Sequence, residues 1–183
     1  MATVATLMTI EEYLALPETG TRTELVRGVV IELSRPGYEH GKICIEISFL
    51  ITLFVKQSGS GRVIGNDSGI ITHRDPDSLR GADVAYYSAV KANAIGVQKG
   101  YPNLAPDLVV EVRSPSDRWS EMVHKAGEYL AAGVLVVVLL DPDTRSAHVF
   151  EADRAPRAFG PQDTLTFPDL LGDFAVVVGR IFD

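Results

Sequence analysis

The chain of 183 residues has one cysteine, Cys44. That excludes an intrachain disulfide and any zinc site built from several cysteines. It also suits a reducing compartment, and we expect the protein in the cytoplasm. Basic charge is scarce: 17 Lys and Arg stand against 24 Asp and Glu, a formal net charge of −7. Bulk charge therefore does not drive non-specific binding to a polyanion, although a local basic groove is not excluded. Long apolar runs are missing too. The longest, Val134 to Leu140, is far too short to cross a bilayer. No basic leader with a long apolar segment is visible at the N-terminus, so the chain reads as having no signal peptide. Gly59 and Gly61 do not lead into a helix with Lys and Ser or Thr, which excludes a phosphate-cradling loop of that kind. There is no Gly-x-Ser-x-Gly nucleophile elbow. His40, His73, His124 and His148 show no paired zinc spacing. Internal repeats and low-complexity tracts are also absent.

What is present is a core of ordinary composition and length for one domain, 1–183, with residues 1–20 as an N-terminal helical extension. Its most informative stretch is Ala105 to Asp117, APDLVVEVRSPSD. Leu108 to Val112 reads as a buried central strand bounded by turn formers. Glu111 interrupts it. An ionised carboxylate in such a strand is costly unless it is paired or binds a metal. Alternation puts Asp107, Val109, Glu111 and Arg113 on one face, with neighbours about 6.6 Å apart. A Glu111–Arg113 ion pair without function is one explanation. A site is the other.

The rest of the chain predicts an α/β or α+β fold, a mixed central sheet flanked by helices. Thr9 and Glu12 form a capping box ahead of a short helix. Thr23 to Leu33 reads as a strand or tight hairpin around Arg27-Gly28, with Glu24 at its start, where an exposed edge position is the plain reading. A buried amphipathic helix spans about His40 to Gln57. His40, near its N-terminus, reads as a surface or capping residue. Val63 to Thr72 is a strand with a break at Gly65-Asn66, and Ala82 to Tyr87 is a strand with Asp83 at its start. Lys91 to Asn103 is a polar connection with room for a helical turn. Ser116 or Asp117 caps a helix that runs to about Ala132. Its apolar stripe is Met122, Ala126, Tyr129 and Leu130. Lys125 falls on or beside that stripe, so it either snorkels to water or points at the buried carboxylate. Val134 to Leu140 is a second buried strand, joined to the first by a right-handed parallel crossover. A hairpin partner follows at Arg145 to Glu151, then a short strand at Asp163 to Phe167 and an apolar segment at Phe174 to Val178.

Asp83 and Glu111 each lie on a predicted strand beside turn-rich loops. If those strands are neighbours, the carboxylates converge. Paired oxygen ligands suit a hard cation, Mg²⁺ or Mn²⁺. Such an ion polarises a phosphoryl oxygen and helps to generate hydroxide, and a nearby Lys offsets transition-state charge.

An acid followed downstream by Glu-x-basic resembles the pattern of the PD-(D/E)XK nuclease superfamily. More narrowly, the chain resembles a bacterial family of restriction-endonuclease-like proteins once classed as a domain of unknown function. The matching pieces are TELVRG at 23–28, RGADVAYYS at 80–88, APDLVVEVRSPSD at 105–117, KAGEYLAAGV at 125–134 and LLDP at 139–142. The resemblance implies the restriction-endonuclease-like fold, with Asp83 and Glu111 as metal ligands. It implies Glu24 as an assisting acid, and Lys125 as the basic residue moved from the strand to the following helix. It also implies DNA as substrate and a homodimer. Two departures stand out. The proline of the PD motif is replaced by Ala82, and the usual strand lysine by Arg113, which stays protonated and cannot act as a base. Lys125 is thus the first candidate for the basic role and Arg113 the second. Pro106-Asp107 repeats the PD dipeptide, but Asp107 sits about 13 Å from Glu111 along one strand. The expected activity is metal-dependent endonucleolytic cleavage of DNA. The alternative is an inactive DNA-binding or assembly module on the same fold.

Overall fold

The computed structural model describes residues 7–97 and 100–183. Residues 1–6 of the expected N-terminal extension and positions 98–99 of the expected connection lie outside the described residues. Helix α1 (Ile10–Leu14) carries the expected capping box between Thr9 and Glu12. Strands β1 (Arg22–Val26) and β2 (Val29–Leu33) form an antiparallel hairpin. Its two turn residues, Arg27 and Gly28, have φ of 49° and 77°. Positive φ at both positions matches the strand twist, and Gly28 supplies one of them without strain.

Helix α2 (Tyr38–Ser58) is followed by β3 (Gly61–His73) and β4 (Ser78–Ser88). Then come α3 (Ala89–Ile95), β5 (Leu108–Val112), α4 (Trp119–Ala131) and β6 (Val136–Asp141). The remainder is β7 (Ser146–Glu151), β8 (Arg157–Phe159), β9 (Thr164–Thr166), α5 (Pro168–Leu171), β10 (Ala175–Val177) and a closing 3₁₀ turn at Val178–Phe182. The main sheet runs β2-β1-β4-β5-β6-β7-β8, with β3 on the other edge of β4. β5 and β6 pair in parallel across α4, and the other pairs are antiparallel. The sheet is therefore mixed, as the sequence predicts.

Helices cover both faces. On one, Ile43, Ile47 and Ile51 of α2 pack over Val84, Tyr86 and Val110. On the other, Met122, Ala126 and Tyr129 of α4 pack over Ala85, Val109 and Val137. β5 is buried over its whole length, which explains its near-continuous apolar sequence.

Two expectations about where elements begin are corrected here. β4 starts at Ser78, not Ala82, because pairing with β3 continues down to that residue, so Asp83 is mid-strand. α4 is capped by Arg118 without a side-chain bond. The Asp117 carboxylate instead accepts the Ser114 N–H at 2.7 Å and tightens the turn before the helix. The expectations for Glu24, His40 and Arg113 are taken up with the site.

Candidate metal centre in the sheet fork

A strand has two edges. β3 occupies one edge of β4 along its length. The other is shared: β1 pairs at Leu79, while β5 pairs over Val84–Tyr86. Between them the backbone of Arg80 to Asp83 has no strand of the described residues alongside on that edge. Buried backbone groups still need partners, and side chains provide them. The Gly81 N–H donates to Glu24 Oε1 at 2.9 Å. The Gly81 carbonyl accepts from Lys125 Nζ at 2.8 Å and from the Tyr129 hydroxyl at 3.0 Å. The fork thus draws one acid from β1 and two polar groups from α4 to the same point.

Register brings in the other acids. Val84 pairs with Val110, and one further step of that antiparallel ladder sets Asp83 opposite Glu111. Directly opposed residues have Cβ atoms about 5 Å apart. The ladder opens here, and the Val112 N–H donates to Asp83 Oδ2 at 2.8 Å instead. On the far edge of β4, β3 places Asn66 and Asp67 against Asp83 alone. Both have positive φ, 64° and 53°. This bulge, expected as a break at Gly65-Asn66, re-aims the strand beside the site.

The side chains form a connected cluster. Lys125 Nζ lies 3.1 Å from Glu24 Oε1 and 3.1 Å from Glu111 Oε1. The single Tyr129 hydroxyl proton is shared between the Gly81 carbonyl and Glu111 Oε1, the latter the nearer at 2.8 Å. Arg80 clamps Glu24 Oε2 at 2.8 Å and Glu128 Oε2 at 2.7 Å. His40 Nε2 stands 3.2 Å from Asp83 Oδ2. Four carboxylates thus face two permanent cations, an excess that favours an added cation.

The electrostatics separate the acids. Burial pushes the Glu111 carboxyl up to about 7, and Asp83 adds to the rise while Lys125 opposes it. Burial also acts to raise Glu24, but Lys125 and Arg80 outweigh it and hold the carboxyl below its ordinary value. Burial would lower Lys125, yet Glu111 and Glu24 raise it, so the amine stays charged. His40 is raised in the same way, with Asp83 prevailing over burial.

The cluster opens on a cleft of about 630 Å³ walled by Glu24, His40, Asp83, Glu111 and Lys125. Each prospective ligand uses one oxygen internally. Asp83 Oδ2 and Glu111 Oε1 are engaged, while Asp83 Oδ1 and Glu111 Oε2 accept no hydrogen bond from the described residues. Neither is among the fully buried atoms that lack a partner, so both are reached from the cleft. Two accessible anionic oxygens on opposed strand positions are a donor set that fits a hard divalent cation.

The family model Uma2, described as "Putative restriction endonuclease", matches residues 10–179. The chain belongs to the Uma2 family. A solved relative in structure is a protein from Anabaena variabilis ATCC 29413 described as a putative nuclease belonging to DUF820. It superimposes with a TM-score of 0.83 at 21% identity, over 96% of this chain and 97% of that one. That likeness supports the expected nuclease-like α/β fold. No curated protein matches.

In this Uma2 chain four of the five expected site residues come together: Glu24, Asp83, Glu111 and Lys125. Arg113 does not. The parallel register with β6 sets Arg113 beside Asp141, and its guanidinium pairs with Asp141 and Asp143, each at 3.1 Å. It is neither the ion-pair partner of Glu111 nor in contact with the cluster. Glu24 is buried, not an exposed edge residue, because the fork requires an acceptor for Gly81. His40 is buried against Asp83 and is neither a surface nor a capping residue. Asp107 sits elsewhere, paired with Lys91 at 2.9 Å. Sequence reasoning missed Arg80, Glu128 and the hydroxyl role of Tyr129. Arg80 lay within a quoted motif, and Glu128 and Tyr129 are three and four positions beyond Lys125, which is contact spacing on a helix.

Proposed function

We propose that this cleft holds Mg²⁺ or Mn²⁺ on Asp83 and Glu111 and hydrolyses phosphodiester bonds in DNA, cutting within the chain. The observation that carries the reading is the pair of half-used carboxylates on opposed positions of β4 and β5, with Lys125 fixed beside them. A bound ion would supply Lewis acidity to a phosphoryl oxygen and lower the pKa of a coordinated water. Tyr129 and Lys125 orient Glu111. Glu24 anchors Lys125, and Arg80 anchors Glu24. Lys125 remains charged, so its part is electrostatic: it offsets negative charge as the phosphate is attacked. Membership of the family supports nuclease activity as the class.

One observation favours the alternative of an inactive binding or assembly module. An ammonium has three N–H donors, and Lys125 already faces three acceptors, Glu24, Glu111 and the Gly81 carbonyl. Incubation of the full chain with supercoiled plasmid or single-stranded DNA and Mn²⁺ decides between them. Nicking or cleavage, lost in Asp83→Ala and in Glu111→Gln, is expected. No cleavage despite Mn²⁺ binding favours the module, and cleavage that survives Asp83→Ala refutes the ligand assignment.

The homodimer is also a proposal. Ile45, Phe49 and Leu53 form an exposed stripe on α2 at i, i+4, i+8 spacing. A twofold axis through that stripe would bury it against its own copy. Light scattering on the purified chain tests this; a monomer mass at all concentrations removes it. No helix among the described residues is long and apolar enough to cross a membrane.

A further inference from the structure

Behind Asp83, on the α2 side of the fork, lies a donor set of a different character. His40 and Cys44 are four positions apart in α2, so both side chains leave the same face. A nitrogen of His40, the Cys44 sulfur and an oxygen of Asp83 all lie within 4.8 Å of one another. His40 Nε2 is 3.2 Å from Asp83 Oδ2 and 4.0 Å from Cys44 Sγ. A tetrahedral ion with usual Zn–N, Zn–O and Zn–S bonds separates N and O donors by about 3.4 Å and N and S donors by about 3.6 Å. The Nε2–O and Nε2–S spacings are each within about half an ångström of that; Cys44 Sγ lies nearer to Nδ1, at 3.4 Å, so the imidazole must turn for one nitrogen to face both partners. Hard-cation chemistry does not need a thiol and an imidazole here, and the Asp83–Glu111 reading uses neither.

We propose that His40, Cys44 and Asp83 form a binding site for a borderline-soft transition ion of the Zn²⁺ class. Imidazole and thiolate select such an ion over Mg²⁺. Three protein ligands leave one coordination position, as in open zinc sites. His40 and Asp83 line the cleft, which gives the ion its entry path, while Cys44 is half-buried behind them. The thiol gives up its proton on binding. The site shares Asp83 with the hard-cation pair but does not depend on Glu111.

Cobalt(II) is the probe, because a thiolate bound to it produces a near-ultraviolet charge-transfer band. Cys44 is the only cysteine in the chain, so any such band in the wild-type protein reports this residue. One equivalent of Co²⁺ should produce the band, and Zn²⁺ should displace it. His40→Gln and Cys44→Ser should each weaken Zn²⁺ binding by about 100-fold, since loss of a mere supporting partner of a ligand already costs about 10–100-fold. Glu111→Gln should abolish Mn²⁺ binding and leave the thiolate band, so this proposal and the proposed nuclease site fail separately. No thiolate band at saturating Co²⁺ in the wild-type protein overturns the site. So does Zn²⁺ affinity unchanged in both ligand variants. The wild-type spectrum stands even if a variant fails to fold.

Discussion

Binding of Mn²⁺ should depend steeply on pH between 6 and 8, because the metal must displace a proton from Glu111. Burial and Asp83 place that carboxyl at about 7 in the metal-free protein. At pH 6 about a tenth of it is ionised and at pH 8 about nine-tenths. Apparent affinity should therefore rise about tenfold from pH 6 to pH 8, or about 1.4 kcal/mol, with close to one proton released at the low end. The same group sets the sign for stability without metal. Its folded value lies above the ordinary 4.5, so the native state holds the proton more tightly than the unfolded chain. Stability from this group is then full below pH 4.5, falls as pH rises, and has gone above about 7. Mn²⁺ should therefore raise the melting temperature more at pH 8 than at pH 6. Titration calorimetry in buffers of different ionisation enthalpy measures both affinity and proton release. A dissociation constant that is flat from pH 6 to 8, with no proton released, would refute the claim that Glu111 is a ligand protonated by its surroundings.

Other consequences follow from the same contacts. Arg80→Met takes the guanidinium from Glu24, leaving it Lys125, and from Glu128, leaving it His124, and should cost about 3 kcal/mol in urea unfolding, against less than about 1 kcal/mol for the exposed Arg154→Met. The Glu24 carboxyl lies below its ordinary 4.5 when folded, so the advantage of wild type over Arg80→Met should shrink as pH drops beneath that value; equal losses in the two variants would count against the cluster. Tyr129→Phe removes a donor to ionised Glu111, so stability should fall by about 1–2 kcal/mol and the Mn²⁺ binding midpoint should move to higher pH. Arg113→Gln should leave Mn²⁺ affinity unchanged while costing about 1–3 kcal/mol, because it uncouples Asp141; loss of metal binding in that variant would restore Arg113 to the site.

The local sequence determined the elements and the first acids. A continuous apolar run marked β5 as central, and one carboxylate within it had to be explained. Helical spacing placed Lys125 beside the stripe that meets the sheet, and it does meet Glu111. These are properties of period and polarity, which act over a few residues and can be read without a fold. Tertiary structure decided the rest. The fork in β4 is a matter of which strands share an edge, and no short-range pattern encodes it. Glu24, an unremarkable edge residue in sequence, became the acceptor for Gly81 and the anchor of Lys125 only there. His40 and Asp83 are far apart in the chain, and their contact depends on how α2 lies across the sheet. The His40-x-x-x-Cys44 spacing was present in the sequence, but two residues on one helical face become a donor set only when the fold adds a third. Arg113 shows the converse. Alternation along one strand pointed it towards Glu111, but the parallel register with β6 sets it beside Asp141, which it binds. β6 runs on to Asp141, one step beyond the Val112–Leu140 pair, so the role of that arginine was settled by pairing and not by its place in the motif.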